Sequence, residues 1–324
     1  MDELLRLLAT GEADTTPALA ARLHCTPEAL AGRLLALAAE GYRPQPDAAG
    51  RLSLRPAADS LLPGDILAGL RTRTLGRGEI LYATEMDSTN TQLKRAAAER
   101  NLPAGSLAVC DRQTAGRGRL QRAWETPEPG TALPCSVLLA PDLPPGQAHL
   151  VTLAVAVAAA AAIAETGLSP GIKWPNDVVV GGKKCVGILC EAVATEKGPL
   201  IVAGAGFNVR QRTFPETIRH RATSLWLMGA HGADRRALLC AYLSQLERAM
   251  AALEAEGLSG ILAEYTARSV TLGRRVEVIG ATETFLGTAE AIDDTGALWV
   301  LDDQNRRRQV WSGDVSVRGV MGYV

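Results

Sequence analysis

The spacing of apolar positions changes along the chain, and each change marks an element. Leu4, Leu5, Leu7 and Leu8 recur at helical spacing. A second segment follows Thr16 and Pro17, with Leu19, Ala20 and Leu23. A third follows Thr26, Pro27 and Glu28, with Leu30, Leu34, Leu35 and Leu37 ahead of Gly41. Thr26 supplies a capping hydroxyl and Pro27 suits a first helical turn, so this start is well marked. Residues 43–54 then predict a two-stranded wing, and residues 1–63 together resemble a winged helix-turn-helix. Residues 64–78, with Arg71, Arg73 and Arg77, read as a linker.

Beyond the linker the pattern predicts a strand at 79–83, a helix from Asp87, Ser88 and Thr89 to about Arg100, and a strand at 106–110. A Pro/Gly turn at 127–134 and a strand at 136–140 follow. The apolar run 150–164 is alanine-rich and only fifteen residues long. A bilayer needs roughly 20 such residues, so the run predicts a buried helix over about 147–166. Residues 171–193, GIKWPNDVVVGGKKCVGILCEAV, give a short strand, a polar break at 175–177, a hairpin turn at Gly181 and Gly182, and a returning strand. One more strand, 200–209, carries Gly204 and Gly206 where something must approach the backbone closely. Helices follow at 234–256 and 259–268. From 271 onward short alternating strands (274–280, 283–292, 297–303 and 307–313), with a hairpin turn at 293–296, predict a small β-barrel of about fifty residues. The expected divisions are 1–63, the linker 64–78, 79–270 and 271–324.

Composition narrows the function. The 324 residues are 47% hydrophobic and 21% charged, which are globular values, and the net charge of −1 gives no bulk attraction to nucleic acid or membrane. Residues 1–63 hold six Arg, no Lys and eight Asp plus Glu, a balance of −2. The third helix offers one cation, Arg33, and no Lys, Asn or Gln to reach phosphates or base edges, which argues against DNA binding. Six scattered cysteines without a CxxC pair predict that most are core thiols and make zinc or disulfides unexpected. The opening MDELLRLLATGE lacks a cleavable signal pattern, so the cytoplasm is expected.

The chemistry concentrates in residues 111–124, DRQTAGRGRLQRAW. Arg112, Arg117, Arg119 and Arg122 surround Gly116 and Gly118, and Trp124 follows. Glycines let a backbone pass close to a ligand, and guanidinium forks suit phosphate and carboxylate oxygens. An anion-gripping loop and a solvated basic turn both fit this stretch alone. Lys173, Asn176, Asp177, Lys184 and Asn208, each at the end of an expected strand, imply one concave site on a sheet.

DSTN (87–90), QTAGRGRLQRAW (113–124), KWPNDV (173–178), GKKCVGILCE (182–191), GAGFNV (204–209) and ATSL (222–225) resemble, in order and spacing, the motifs of biotin protein ligases. The resemblance covers residues 79–324. It extends more weakly to 1–63, which resemble the arm of the bifunctional ligase and biotin-operon repressor group. It implies an α+β fold: a mixed central β-sheet flanked by helices, of the class II synthetase and biotin–lipoate ligase kind, with a winged-helix-like N-terminal domain and an SH3-like C-terminal barrel. It also implies ATP-dependent formation of biotinyl-5′-adenylate, then transfer of biotin to a lysine of a biotin carboxyl carrier domain. That acceptor would dock by strand pairing at an exposed sheet edge, which homodimerisation would share.

Carried onto this chain, the resemblance assigns biotin to Ser88, Thr89, Asn90, Gln113, Gly116, Arg117, Arg119, Lys184 and Gly204. ATP falls to Arg122, Trp124, Asn176, Asp177, Lys184 and Asn208, with Asp177 also serving Mg²⁺. Lys184 and Arg119 are the implied catalytic pair, and residues 211–225 would close over the adenine side. Two departures bear on how tightly adenylate is retained. Gln121 replaces the family's usual glycine, and 133–136 (LPCS) replaces a tyrosine-containing strand. Pro134 lacks an amide donor, which predicts an edge or bent strand. Lipoate ligases, which share the core but do not usually carry the GRGRxxRxW loop, are the alternative within the enzyme class. A DNA-binding repressor with biotinyl-adenylate as corepressor is the alternative outside it.

Overall fold

The structure, a computed structural model, describes residues 2–126, 128–144, 146–195, 198–280, 283–312, 316–319 and 323–324. Pro127, where the expected turn begins, Gly313, where the last expected strand ends, and the side chain of Gln121 lie outside the described part. Helix α1 (Glu3–Thr10) starts at Asp2, whose carboxylate accepts from the Leu4 N–H, and buries Leu4, Leu5, Leu7 and Leu8. Helices α2 (Thr16–Arg22) and α3 (Pro27–Ala39) follow; Thr26 caps α3 by accepting from the Ala29 N–H. Strands β1 (Pro44–Pro46) and β2 (Leu52–Leu54) form an antiparallel hairpin. The stretch expected to be linker begins with an ordered helix, α4 (Pro63–Gly69), which buries Asp65, Ile66 and Leu67. Its Pro-Gly start resembles a turn, but proline is well placed in a first helical turn.

The central sheet holds seven strands in the order β3-β4-β5-β9-β8-β7-β6. These are β3 (Ile80–Met86), β4 (Leu107–Gln113), β5 (Ala132–Leu139), β6 (Pro170–Lys173), β7 (Asp177–Val180), β8 (Lys183–Thr195) and β9 (Gly198–Asn208). The β3–β4 pair is parallel and the other pairs are antiparallel. Helix α5 (Thr89–Arg100) connects β3 to β4. Helix α6 (Val151–Ala164) is apolar on every side and almost wholly buried. It packs on β8 and on α7 (Arg235–Glu256), which α8 (Ser259–Ala267) follows. No described helix is long and apolar enough to cross a membrane.

The strand carrying Pro134 is interior, not an edge. β5 lies between β4 and β9, and its ladder to β4 ends at Val109↔Cys135, one residue short of the proline, while Pro134↔Gly206 continues the ladder to β9. A residue without an N–H is tolerated there because one neighbouring ladder has already ended. Cys110, Cys135, Cys185 and Cys240 are buried thiols, as the sequence predicts; burial pushes Cys110 and Cys185 up to about 12. Beyond α8, β10 (Arg275–Ile279), β11 (Thr284–Ile292), β12 (Leu298–Asp302), β13 (Arg307–Val310) and β14 (Ser316–Gly319) form an antiparallel sheet ordered β13-β12-β11-β10-β14. Asp293 builds its 293–296 turn by accepting from the N–H groups of Thr295 and Ala297.

Candidate active site

Register builds the floor of the site. Pro134, Gly206 and Gly187 stand opposite one another across β5, β9 and β8, and so do Ser136, Gly204 and Leu189. Residues directly opposite share a face, so three glycines lie together on one surface of the sheet. A Cβ on Gly204 would lie 2.1 Å from Asn90 Oδ1, and one on Gly206 or Gly187 would lie 2.6 Å from the Trp124 indole. The glycines therefore let two side chains rest flat on the backbone. The pocket over this floor is a half-open cleft of about 450 Å³, counted out to open solvent.

One wall is the first turn of α5. Ser88, Thr89 and Asn90 are buried there. The Thr89 N–H donates to Gln113 Oε1 at 2.8 Å, and the Thr89 hydroxyl donates to the same oxygen at 3.2 Å. Ser136 Oγ donates to Asn90 Oδ1 at 2.6 Å and lies 2.7 Å from Thr89 Oγ1. Asn90 Nδ2 donates to the Leu189 carbonyl and to Glu191. Ser88 makes no side-chain cap to its own helix. Ser136 and Glu191 support this wall from behind the pocket's lining but escape the sequence reading. Both sit in strands already recognised, and only the register turns Ser136 toward Thr89.

The Gly/Arg stretch is a hairpin. Trp124 N–H donates to the Gly116 carbonyl at 2.9 Å, Gly118 N–H donates to the Arg122 carbonyl at 2.7 Å, and Arg117 pairs with Ala123. At its turn Leu120 takes a left-handed conformation, φ 54°. A Cβ on Gly116 would meet the Trp124 carbonyl at 2.4 Å, so that closure needs glycine. Arg119 Nη1 donates to Asn176 Oδ1 at 3.1 Å, and Arg117 Nη2 donates to Thr91 Oγ1 at 2.9 Å. Trp124 Nε1 is buried with no partner among the described residues, an orphaned donor beside the pocket.

Lys184 reaches this face through a β-bulge. Val178 pairs with Val186 but Val179 pairs with Lys184, which leaves Cys185 as the extra residue. Lys184 and Gly187 are three apart and would face opposite ways in a regular strand. The bulge brings them to one face. Lys184 Nζ lies 2.6 Å from Asp177 Oδ1 and 5.6 Å from the centre of the Trp124 ring. Tyr323, which the sequence reading does not single out, donates its hydroxyl to Asp177 Oδ2, and Lys173 Nζ lies 3.5 Å over its ring. Burial, chiefly, with Lys184, Arg318 and Arg122 adding like charge, pushes Lys173 down to about 8 despite Asp177.

Ser88, Thr89, Asn90, Gln113, Arg117 and Arg119 all line the pocket, as do Trp124, Asn176, Lys184 and Gly204. Gly116 shapes the hairpin behind it, and Arg122 and Asp177 stand beyond its lining. Asn208 is turned to another task. Its Nδ2 donates to the Thr223 carbonyl and its Oδ1 accepts from Gln211, which ties residues 211–225 to β9. The same segment runs along Lys184, whose N–H donates to the Arg221 carbonyl and whose carbonyl accepts from the Thr223 N–H. Among the described residues no three His, Cys, Asp or Glu side chains converge on a metal position. Asp177 is a single carboxylate already engaged by Lys184 and Tyr323, so these residues do not form a built Mg²⁺ site.

The sequence matches the Biotin/lipoate A/B protein ligase family over residues 82–208 and the Biotin protein ligase C terminal domain over residues 271–318. The fold is similar to the biotin protein ligase from Aquifex aeolicus in complex with biotin and ATP, with 31% identity and a TM-score of 0.65 over 74% of this chain and 99% of that one. The chain is 32% identical over 198 residues to the bifunctional ligase/repressor BirA of Bacillus spizizenii, a match spanning 60% of each. It is 38% identical over 164 residues to the biotin–acetyl-CoA-carboxylase ligase of Mycobacterium tuberculosis, covering 50% of this chain and 59% of that protein. The matches thus span about 60% of the length of these curated relatives.

Proposed function

The chain belongs to the biotin/lipoate A/B protein ligase family, and from that premise we propose that it is an ATP-dependent biotin protein ligase. In the first step a biotin carboxylate oxygen attacks the α-phosphorus of ATP and pyrophosphate leaves. In the second a lysine amine of a carrier protein attacks the acyl carbon and AMP leaves. The observation that carries the reading is the meeting of five sequence segments, 87–90, 113–124, 173–178, 182–191 and 204–209, around one glycine-floored pocket.

Biotin's carboxylate is itself the nucleophile, so the protein supplies alignment and charge. Thr89, Gln113 and Ser88 offer hydrogen bonds suited to the ureido ring, and Asn90, laid on Gly204, bounds the place of the bicycle. Lys184 and Arg119 meet the negative charge that develops as the carboxylate and α-phosphate approach. Trp124 offers a face and one N–H donor to the nucleotide side. Asn176 orients Arg119, and the cations around Lys173 favour the departing pyrophosphate. Asn208 acts at one remove, by holding residues 211–225. Any Mg²⁺ would rest mainly on ATP's phosphate oxygens, and no step is assigned to it.

The proposed acceptor is the biotin carboxyl carrier domain of a carboxylase, met in the cytoplasm. Strand pairing at a sheet edge is the proposed mode, shared with homodimerisation. At the β6 edge, Ile172 N–H donates to the Arg268 carbonyl and Val270 N–H to the Ile172 carbonyl. β3, paired only with β4 among the described residues, is the edge left for a partner strand. Residues 1–63 are proposed as a winged-helix arm that serves structure more than DNA reading. Pyrophosphate exchange run side by side with biotin and with lipoate tests the assignment. Exchange with biotin alone is expected, and exchange driven by lipoate alone would overturn it.

A further inference from the structure

Glu191 gathers donors that no step of the proposed reaction uses. Its carboxylate accepts from Asn90 Nδ2 at 2.8 Å and from Lys94 Nζ at 2.9 Å, and Arg117 Nη2, which donates to Thr91 Oγ1 at 2.9 Å, stands 3.9 Å away as a second, longer ion pair. Asn90 and Lys94 belong to α5, Arg117 to the 116–124 hairpin, and Glu191 itself to β8. One side chain thus touches the helix and the hairpin that bound the pocket without lining the pocket. It also completes the bonding of Asn90, whose Oδ1 accepts from Ser136 and whose Nδ2 donates to Leu189 and Glu191. With both ends fixed, the amide plane is held over Gly204, where even a methyl group has no room. Burial works against the carboxylate, but hydrogen bonds from Asn90 and Lys94, with Arg117 behind them, outweigh it and hold the group below the usual range.

We propose that Glu191 is a positioning residue with two tasks: it orients Asn90 against the glycine floor, and through Arg117 it tethers the 116–124 hairpin over the bound adenylate. The second task rests on the ligase reading; the tether itself does not. Two substitutions separate the tasks. Glu191→Gln keeps a carbonyl oxygen for Asn90 but removes the charge that holds Arg117 and Lys94. It is expected to leave the biotin KM within about twofold of wild type and to speed adenylate release about threefold, the size of a half-exposed ion pair. Glu191→Ala frees Asn90 as well, and is expected to raise the biotin KM about tenfold with the ATP KM unchanged.

Amide exchange of the ligand-free protein reads the tether whatever the pocket binds. In Glu191→Gln the N–H groups of Gly118 and Trp124, both bonded inside the hairpin, are expected to exchange about threefold faster. Unchanged exchange at these two amides in both variants would overturn the tether, and equal effects on biotin and ATP KM in Glu191→Ala would reduce Glu191 to a structural residue. Wild-type protein that exchanges pyrophosphate with neither biotin nor lipoate would sink the ligase reading and the adenylate task with it. Hairpin exchange would still decide the tether in that case.

Discussion

Lys184 owes its place to one extra residue in its strand. Without the bulge at Cys185 its ammonium would point away from Gly187 and Trp124. The motif GKKCVGILCE identifies the lysine from sequence, but the bulge is a matter of pairing between β7 and β8 and leaves no mark on one strand alone. The side chain is 27% exposed and ion-pairs with Asp177, so the fold should tolerate its truncation. Lys184→Ala is expected to lower adenylate formation by roughly 10² to 10³-fold, the cost of losing one donor to a developing charge. The melting temperature should stay within a few degrees, and an undiminished exchange rate would refute the role. Lys173 behaves differently because it is buried. Its proton is lost near 8 in the folded protein but near 10.5 in the unfolded chain. Between those values the unfolded state binds more protons, so stability should rise with pH, by on the order of 3 kcal/mol in full. Urea unfolding at pH 7 and pH 9.5 measures this, and Lys173→Met should flatten the difference.

At the scale of elements, the site is a sheet surface stripped of side chains. Sequence reading marks Gly204 and Gly206 as places of close approach, because glycine inside a strand costs stability and needs a reason. It does not mark Gly187, whose partnership with Gly206 exists only once β8 and β9 are in register. The same blindness to neighbours makes Pro134 look like an edge residue, when β5 is interior and only its ladder to β4 stops short. Tyr323 is illegible for a similar reason, since it meets Asp177 and Lys173 from beyond the last strand, far from both in sequence. The floor makes a prediction that separates function from stability. In Gly206→Ala the new methyl group would sit 2.6 Å from the indole, so Trp124 must leave the floor. Alanine is easier than glycine to hold in a strand, by about 0.5 to 1 kcal/mol. Thermal stability should therefore hold or rise slightly while the KM for ATP rises at least about tenfold. A variant with unchanged KM would show that the indole's seat on Gly206 is incidental to nucleotide binding.

At the scale of the whole molecule, the N-terminal residues are fastened to the seven-stranded sheet and its helices by charges that no motif announces. Arg235 is 6% exposed and donates to Asp59 at 2.8 Å and to Asp111 at 2.7 Å. Tyr82 donates to the other Asp111 oxygen, and Arg210 donates to Asp59 from the end of β9. Asp59 lies some 176 positions from Arg235, so only the fold brings the two together. Removing one member of a buried ion network leaves a stranded charge, at about 3 to 5 kcal/mol for an isolated pair. Arg235 would keep Asp111, so Asp59→Ala should cost about 2 to 3 kcal/mol in urea unfolding, a loss under about 0.5 kcal/mol marking the network as idle. The arm's outer face carries the complementary argument. Arg33, the one cation of α3, donates to Asp2 at 2.6 Å, while Leu35 is 72% exposed. A helix whose single guanidinium is already engaged and whose neighbours are alanine and leucine presents little to phosphate or base edge. Gel-shift titration against the upstream region of the protein's own gene, with biotin and ATP present, is therefore expected to show no retained complex at physiological salt. A complex that forms under those conditions and weakens steeply as salt rises would restore the repressor reading. Arg33 and the arginines at 43, 51 and 55 around the hairpin would then be the contacts to substitute first.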